Sequence, residues 1–80
     1  MLRPYDENQR RTAALIQRDN PLWLVMWGVG SRRYWAFPAF DVPPRTVVSA
    51  ADPDDLVTRM RETEMQYLPP PYRRPALPSA

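Results

Sequence analysis

One stretch limits what this chain can fold into more than any other: Leu22–Phe40, LWLVMWGVGSRRYWAFPAF. It holds all three tryptophans, both phenylalanines and both glycines of the 80-residue chain. Leu22 to Trp27 is apolar throughout, and Arg33 to Phe37 is rich in aromatics that suit a pleated surface. Between them lies Gly28-Val29-Gly30-Ser31. An apolar run this short, bounded by such punctuation, is a strand rather than a helix, and the pair reads as a hairpin. Alternation puts Trp23, Val25 and Trp27 on one face of the first strand, with Leu22, Leu24 and Met26 on the other. In the second strand Arg33, Trp35 and Phe37 share a face opposite Tyr34 and Ala36. A loop of two or four residues pairs Trp27 with Arg32, and a loop of three pairs it with Ser31. A slip of one residue exchanges the faces, so the register stays open.

The segments on either side supply the rest of a small domain. Asp6 followed by Gln9 is a capping-box pattern and predicts a helix from about Glu7 to Arg18. Ala13 and Ile16 form its thin apolar stripe. Asn20-Pro21 ends it, because proline pushes the preceding residue out of the helical region. Thr46–Ser49 is short and β-branched, and reads as a third strand. Ala51-Asp52-Pro53-Asp54-Asp55 is the sharpest local signal: an N-cap, a proline at the first helical position, and acids in the first turn. That helix reaches about Tyr67, with Leu56, Val57, Met60, Thr63, Glu64 and Tyr67 on one stripe. The predicted fold is α+β, a single small domain in the order α-β-β-β-α, with a three-stranded, mainly antiparallel sheet and two helices. Residues 1–5 read as a loose arm, 6–68 as the domain and 69–80 as a proline-rich disordered tail. The tail contains Pro69-Pro70-Pro71-Tyr72 and Pro75-Ala76-Leu77-Pro78, both shapes that polyproline II receptors bind.

Composition excludes much chemistry. The chain has no cysteine, histidine or lysine, and all eleven basic residues are arginine. A thiol nucleophile, a Schiff base and a Lys-activated serine are therefore ruled out. The carboxylates at 52–55 are explained by helix capping. Gly28-Val29-Gly30 is not followed by the helix that a phosphate loop must open. The reading is non-enzymatic, without catalytic residues, cofactor or metal site. No apolar run approaches the ~20 residues that span a bilayer, and the N-terminus lacks a signal-peptide pattern, so a cytoplasmic location is expected. Without disulfides, a core of roughly 60 residues is near the lower limit of self-sufficiency. The large aromatics then either fill the core or form a face that a partner covers.

The α-β-β-β-α order is similar to that of double-stranded-RNA-binding domains. In that family a basic cluster at the start of the second helix reaches phosphates. Here Asp52, Asp54 and Asp55 hold that position, so the RNA function is not implied. The strings NPLWLVMWG, SRRYWAFPAF and DPDDLVTRMRETE, over Asn20–Glu64, resemble a group of small proteins from high-GC actinomycetes. That group has no known activity to pass on.

The function expected is a small interaction module working through its aromatic sheet face. The candidate face is Trp23, Trp27, Arg32, Arg33, Trp35 and Phe37, and the partner is a second copy or another protein. The alternative is single-stranded nucleic acid stacked on the Arg/aromatic hairpin. The net charge of +2 is small for a general polyanion binder, and the acids of the second helix count against it. No membrane partner is expected.

Overall fold

In the computed structural model, which describes residues 4–69, the elements are α1 (Pro4–Asp19), β1 (Trp23–Gly28), β2 (Arg33–Pro38), β3 (Val48–Ala50) and α2 (Pro53–Tyr67). The sheet has the order β1-β2-β3 with both pairings antiparallel, which is the predicted α+β architecture. Residues 1–3 of the expected arm, and all of the expected tail but Pro69, lie outside the described residues.

α2 starts where the sequence places it. Asp52 caps it by accepting the Asp55 N–H at 3.0 Å, with Pro53 in the first turn. α1 starts earlier than expected. Pro4 and Tyr5 belong to the helix and not to an arm, so Asp6 sits inside the first turn instead of capping it. Asp6 is 2% exposed. Its Oδ1 accepts the Trp27 Nε1–H at 3.2 Å and pairs with the Arg32 guanidinium at 2.5 Å. β3 starts later than expected, because Thr46 is held in a turn. Its N–H and its hydroxyl both donate to the Pro43 carbonyl, at 3.3 and 2.6 Å.

The hairpin loop is Val29–Arg32, which pairs Trp27 with Tyr34 and Gly28 with Arg33. Neither of the expected pairings of Trp27 occurs, although the even-loop alternative has the same facial parity. The displacement is set in the turn. Neither glycine takes a positive φ; the left-handed position is Arg32, at φ 58°. Its N–H donates to the Gly28 carbonyl at 2.8 Å, closing the loop two residues later. A left-handed L-residue costs about 1–2 kcal/mol. The Asp6 pair and the Trp27 ring, 5.2 Å from the Arg32 guanidinium, hold this residue in place.

Both helices pack on the same side of the sheet. The buried cluster joins Trp23, Val25, Tyr34, Ala36, Val48 and Ala50 of that face to Ala13 of α1 and to Leu56 and Met60 of α2. Trp23 is the largest of them, at 2% exposure, and its ring meets Phe40 edge-on at 5.4 Å. A buried indole N–H needs an acceptor. Glu64 supplies it at 2.8 Å, and the same carboxylate oxygen takes the Arg61 guanidinium at 3.1 Å. Arg61 in turn donates to Asn20 Oδ1 at 2.7 Å, and Asn20 Nδ2 donates to the Ile16 carbonyl at 2.7 Å. One polar chain thus ties α2 to β1 and to the end of α1. Gln17 guards the outer edge of β1. Its Oε1 accepts the Val25 N–H at 2.7 Å and its Nε2 donates to the Trp23 carbonyl. Its amide does there what a neighbouring strand would, which blunts the edge.

Two predictions follow from this core. Glu64→Ala leaves the Trp23 N–H and Arg61 without their shared acceptor and should cost about 2–3 kcal/mol in urea unfolding. A loss within the few tenths typical of a surface site would contradict the keystone role. The second concerns Tyr34, 4% exposed. Burial pushes its phenol above the ordinary value of 10.0, a hydrogen bond with Thr12 opposes the rise, and the charge of Asp52 adds to it. A phenol whose folded pKa is raised stabilises the fold fully below pH 10.0, and that contribution is lost as pH climbs through the folded value. With no lysine to titrate in the same range, Tyr34→Phe should flatten the alkaline fall in unfolding free energy. An unchanged slope would show that Tyr34 does not carry it.

Candidate functional site

The side of the sheet away from the helices carries Leu24, Met26 and Gly28 of β1, Arg33, Trp35 and Phe37 of β2, and Ser49 of β3. The register sets Leu24 beside Phe37, Met26 beside Trp35, and Gly28 beside Arg33, with Ser49 next to Trp35 on the far side. Leu24 is 58% exposed, Met26 46% and Phe37 38%. Leu22 and Val47, at the strand margins, are exposed as well. The ladder continues past β1, since the Ala39 N–H donates to the Leu22 carbonyl at 2.8 Å.

The face therefore divides the residues that the sequence singled out. Trp35, Phe37 and Arg33 lie on it. Trp23 and Trp27 do not: they point to the helices, Trp23 into the core and Trp27 against Tyr34 at 4.7 Å and under Arg32. Arg32 belongs to the turn, where it is paired with Asp6 on the helical side. The parity of the strands had already grouped Trp23 with Trp27 and Arg33 with Trp35 and Phe37; only the register could say which group the helices cover. Leu24 and Met26, absent from the expected set, are the most exposed members of the face. The signal for them was present, in a first strand apolar on both sides.

Trp35 is built in rather than dangling. Its Nε1–H donates to Ser31 Oγ at 2.8 Å, and Ser31 Oγ donates to the Gly28 carbonyl at 3.3 Å. The pyrrole edge of the indole packs over Gly28. A Cβ there would sit 2.5 Å from Ser31 Oγ, 2.8 Å from Trp35 Nε1 and 3.0 Å from Trp35 Cδ1. Gly28 is needed for this close approach, not for a left-handed turn. On the far side of Trp35, Arg33 Nε donates to Ser49 Oγ at 3.3 Å. Both serine hydroxyls are thus occupied by structural bonds. The anchor ring has its polar atom satisfied inside the protein, and what remains is apolar surface bordered by one cation.

None of the outward strand positions carries a carboxylate. The acids of α2 lie on the helical layer, where Asp55 pairs with Arg59 and Glu64 with Arg61. A concavity lies between the helices, about 390 Å³ in volume, lined by Leu15, Ile16, Pro53, Val57 and Arg61 among others. Arg61 is already engaged there with Glu64 and Asn20. No group of three or more carboxylates that could hold a metal occurs among the described residues, and no described helix is long and apolar enough to cross a membrane. No family model, curated protein or solved structure matches the chain.

Gly28→Ala should push the indole of Trp35 off its seat. We expect a cost of about 1–3 kcal/mol from overpacking, together with a shift in tryptophan emission. Unchanged emission and stability would contradict the packing of Trp35 on Gly28.

Proposed function

We propose that this protein is a non-enzymatic interaction module that works through the uncovered face of its sheet. One observation carries the reading: both helices cover the same side, which leaves Leu24, Met26, Trp35 and Phe37 as one apolar surface on the other. Monomers seldom show contiguous apolar patches beyond a few hundred Å² unless something binds there. Trp35 has the properties of a binding anchor, being large, central and held by its own hydrogen bond. Arg33 at the border adds a residue type enriched in interfaces.

Single-stranded nucleic acid is the second reading. The separation of the α2 acids from this face removes the electrostatic objection to it, and Trp35 and Phe37 sit two residues apart on the central strand, as stacking platforms do.

Met26→Glu tests the interaction reading. Because Met26 faces solvent, its unfolding free energy should stay within about 0.5 kcal/mol of the parent. Anilinonaphthalene sulfonate should bind the native parent in dilute solution and fail to bind the variant. A destabilisation of several kcal/mol would make Met26 a core residue, and a native parent that binds no dye would remove the exposed patch on which the reading stands.

A further inference from the structure

We infer that the partner of this face is a second copy of the chain, packed sheet on sheet about a two-fold axis that runs across the strands; the inference rests on the interaction reading above. What points to a copy is the outward ladder of the central strand: Arg33, Trp35, Phe37. An axis across the strands lays β2 over β2 in opposite directions. Arg33 of each protomer then lies against Phe37 of the other, and Trp35 meets Trp35 at the centre. A guanidinium over an aromatic face is attractive, more so once water is excluded. The ladder is thus complementary to itself: cation to ring at both ends, ring to ring in the middle.

The alternative symmetric arrangement fails on charge. An axis along the strands sets Arg33 directly on Arg33, and no outward strand position is a carboxylate that could separate them. In the crossed arrangement the two guanidinium groups stand roughly 13 Å apart, four residues of strand. That exceeds the Debye length of about 8 Å at physiological salt. On β1 the same operation brings Met26 onto Met26 and Leu24 over the Gly28 end, where the indole of Trp35 lies. The area is modest. Three short strands bury a few hundred Å² on each side, near the lower bound of about 1,000 Å² in total for a specific interface. A dimer of this size is expected to be reversible rather than permanent.

The chain contains no cysteine, so single introduced thiols report contacts without interference. The test combines sedimentation of the full chain across a wide concentration range with air oxidation of Met26→Cys and Leu15→Cys. Leu15 is 48% exposed on α1, against 46% for Met26, and so controls for exposure on the helical layer. The expected result is a reversible dimer, with Met26→Cys forming the covalent dimer at least tenfold faster than Leu15→Cys. Phe37→Ala, which removes two contacts in a symmetric dimer, should weaken association by about tenfold. A dimer that cross-links as readily through Leu15→Cys overturns the inference. So does a strict monomer that still binds the dye, a result that leaves the interaction reading standing. A monomer whose tryptophan emission is quenched by a single-stranded oligonucleotide, less so as salt is raised, overturns it in favour of nucleic acid. A monomer that binds neither dye nor oligonucleotide overturns both readings.

Discussion

The indole N–H of Trp23 is the point on which the fold turns. The apolar run that makes β1 puts this group on the face that the helices cover, and a buried donor without an acceptor costs about 1–3 kcal/mol. Glu64 answers it from α2. That bond fixes the rotation of α2 about its own axis, which sends Leu56 and Met60 into the core. The carboxylate draws in Arg61, which reaches Asn20, which caps the last turn of α1. A domain this small has few apolar contacts with which to align its layers. A single charge-assisted path through three elements supplies the directional constraint that the hydrophobic effect lacks.

The consequence is one-sidedness. Every device that tethers a helix acts from the same face: Glu64 on Trp23, Asp6 on Trp27 and Arg32, and Gln17 on the edge of β1. None reaches the other side, where the first strand repeats its apolar pattern without a cover. The uncovered side has its own support at Trp35, whose polar atom is satisfied by Ser31 and whose ring is seated on Gly28. The arrangement keeps a large apolar side chain rigid at the surface. A rigid anchor loses less entropy on binding than a mobile one, which supports the proposed role of this face in recognition.

How much of this could be read from the sequence depended on how local the signal was. Asp52-Pro53 fixed the start of α2 because capping is decided within four residues. The α-β-β-β-α order came from punctuation and periodicity over short windows. The register did not, because it turned on a left-handed Arg32 whose support comes from Asp6, 26 residues away. Asp6 misled for the same reason. Its spacing to Gln9 imitates a capping box, while its true partners lie on the hairpin. Glu64 was legible as a polar residue on an apolar stripe, but the donor that it serves is visible only in three dimensions. The candidate face was half legible: parity grouped its members correctly, and tertiary packing chose which group stayed uncovered.

The central claim is that the sheet is covered on one side only, and thiol labelling along β1 tests it most directly. In the cysteine-free chain, Leu24→Cys, Val25→Cys and Met26→Cys are each exposed to a soluble thiol reagent in dilute native solution. Positions 24 and 26 should react at rates close to those of the unfolded chain. Position 25 should react about a hundredfold more slowly or less, through opening of the fold. Equal reactivity at all three positions, or protection at 24 and 26 with a reactive 25, would contradict the one-sided sheet.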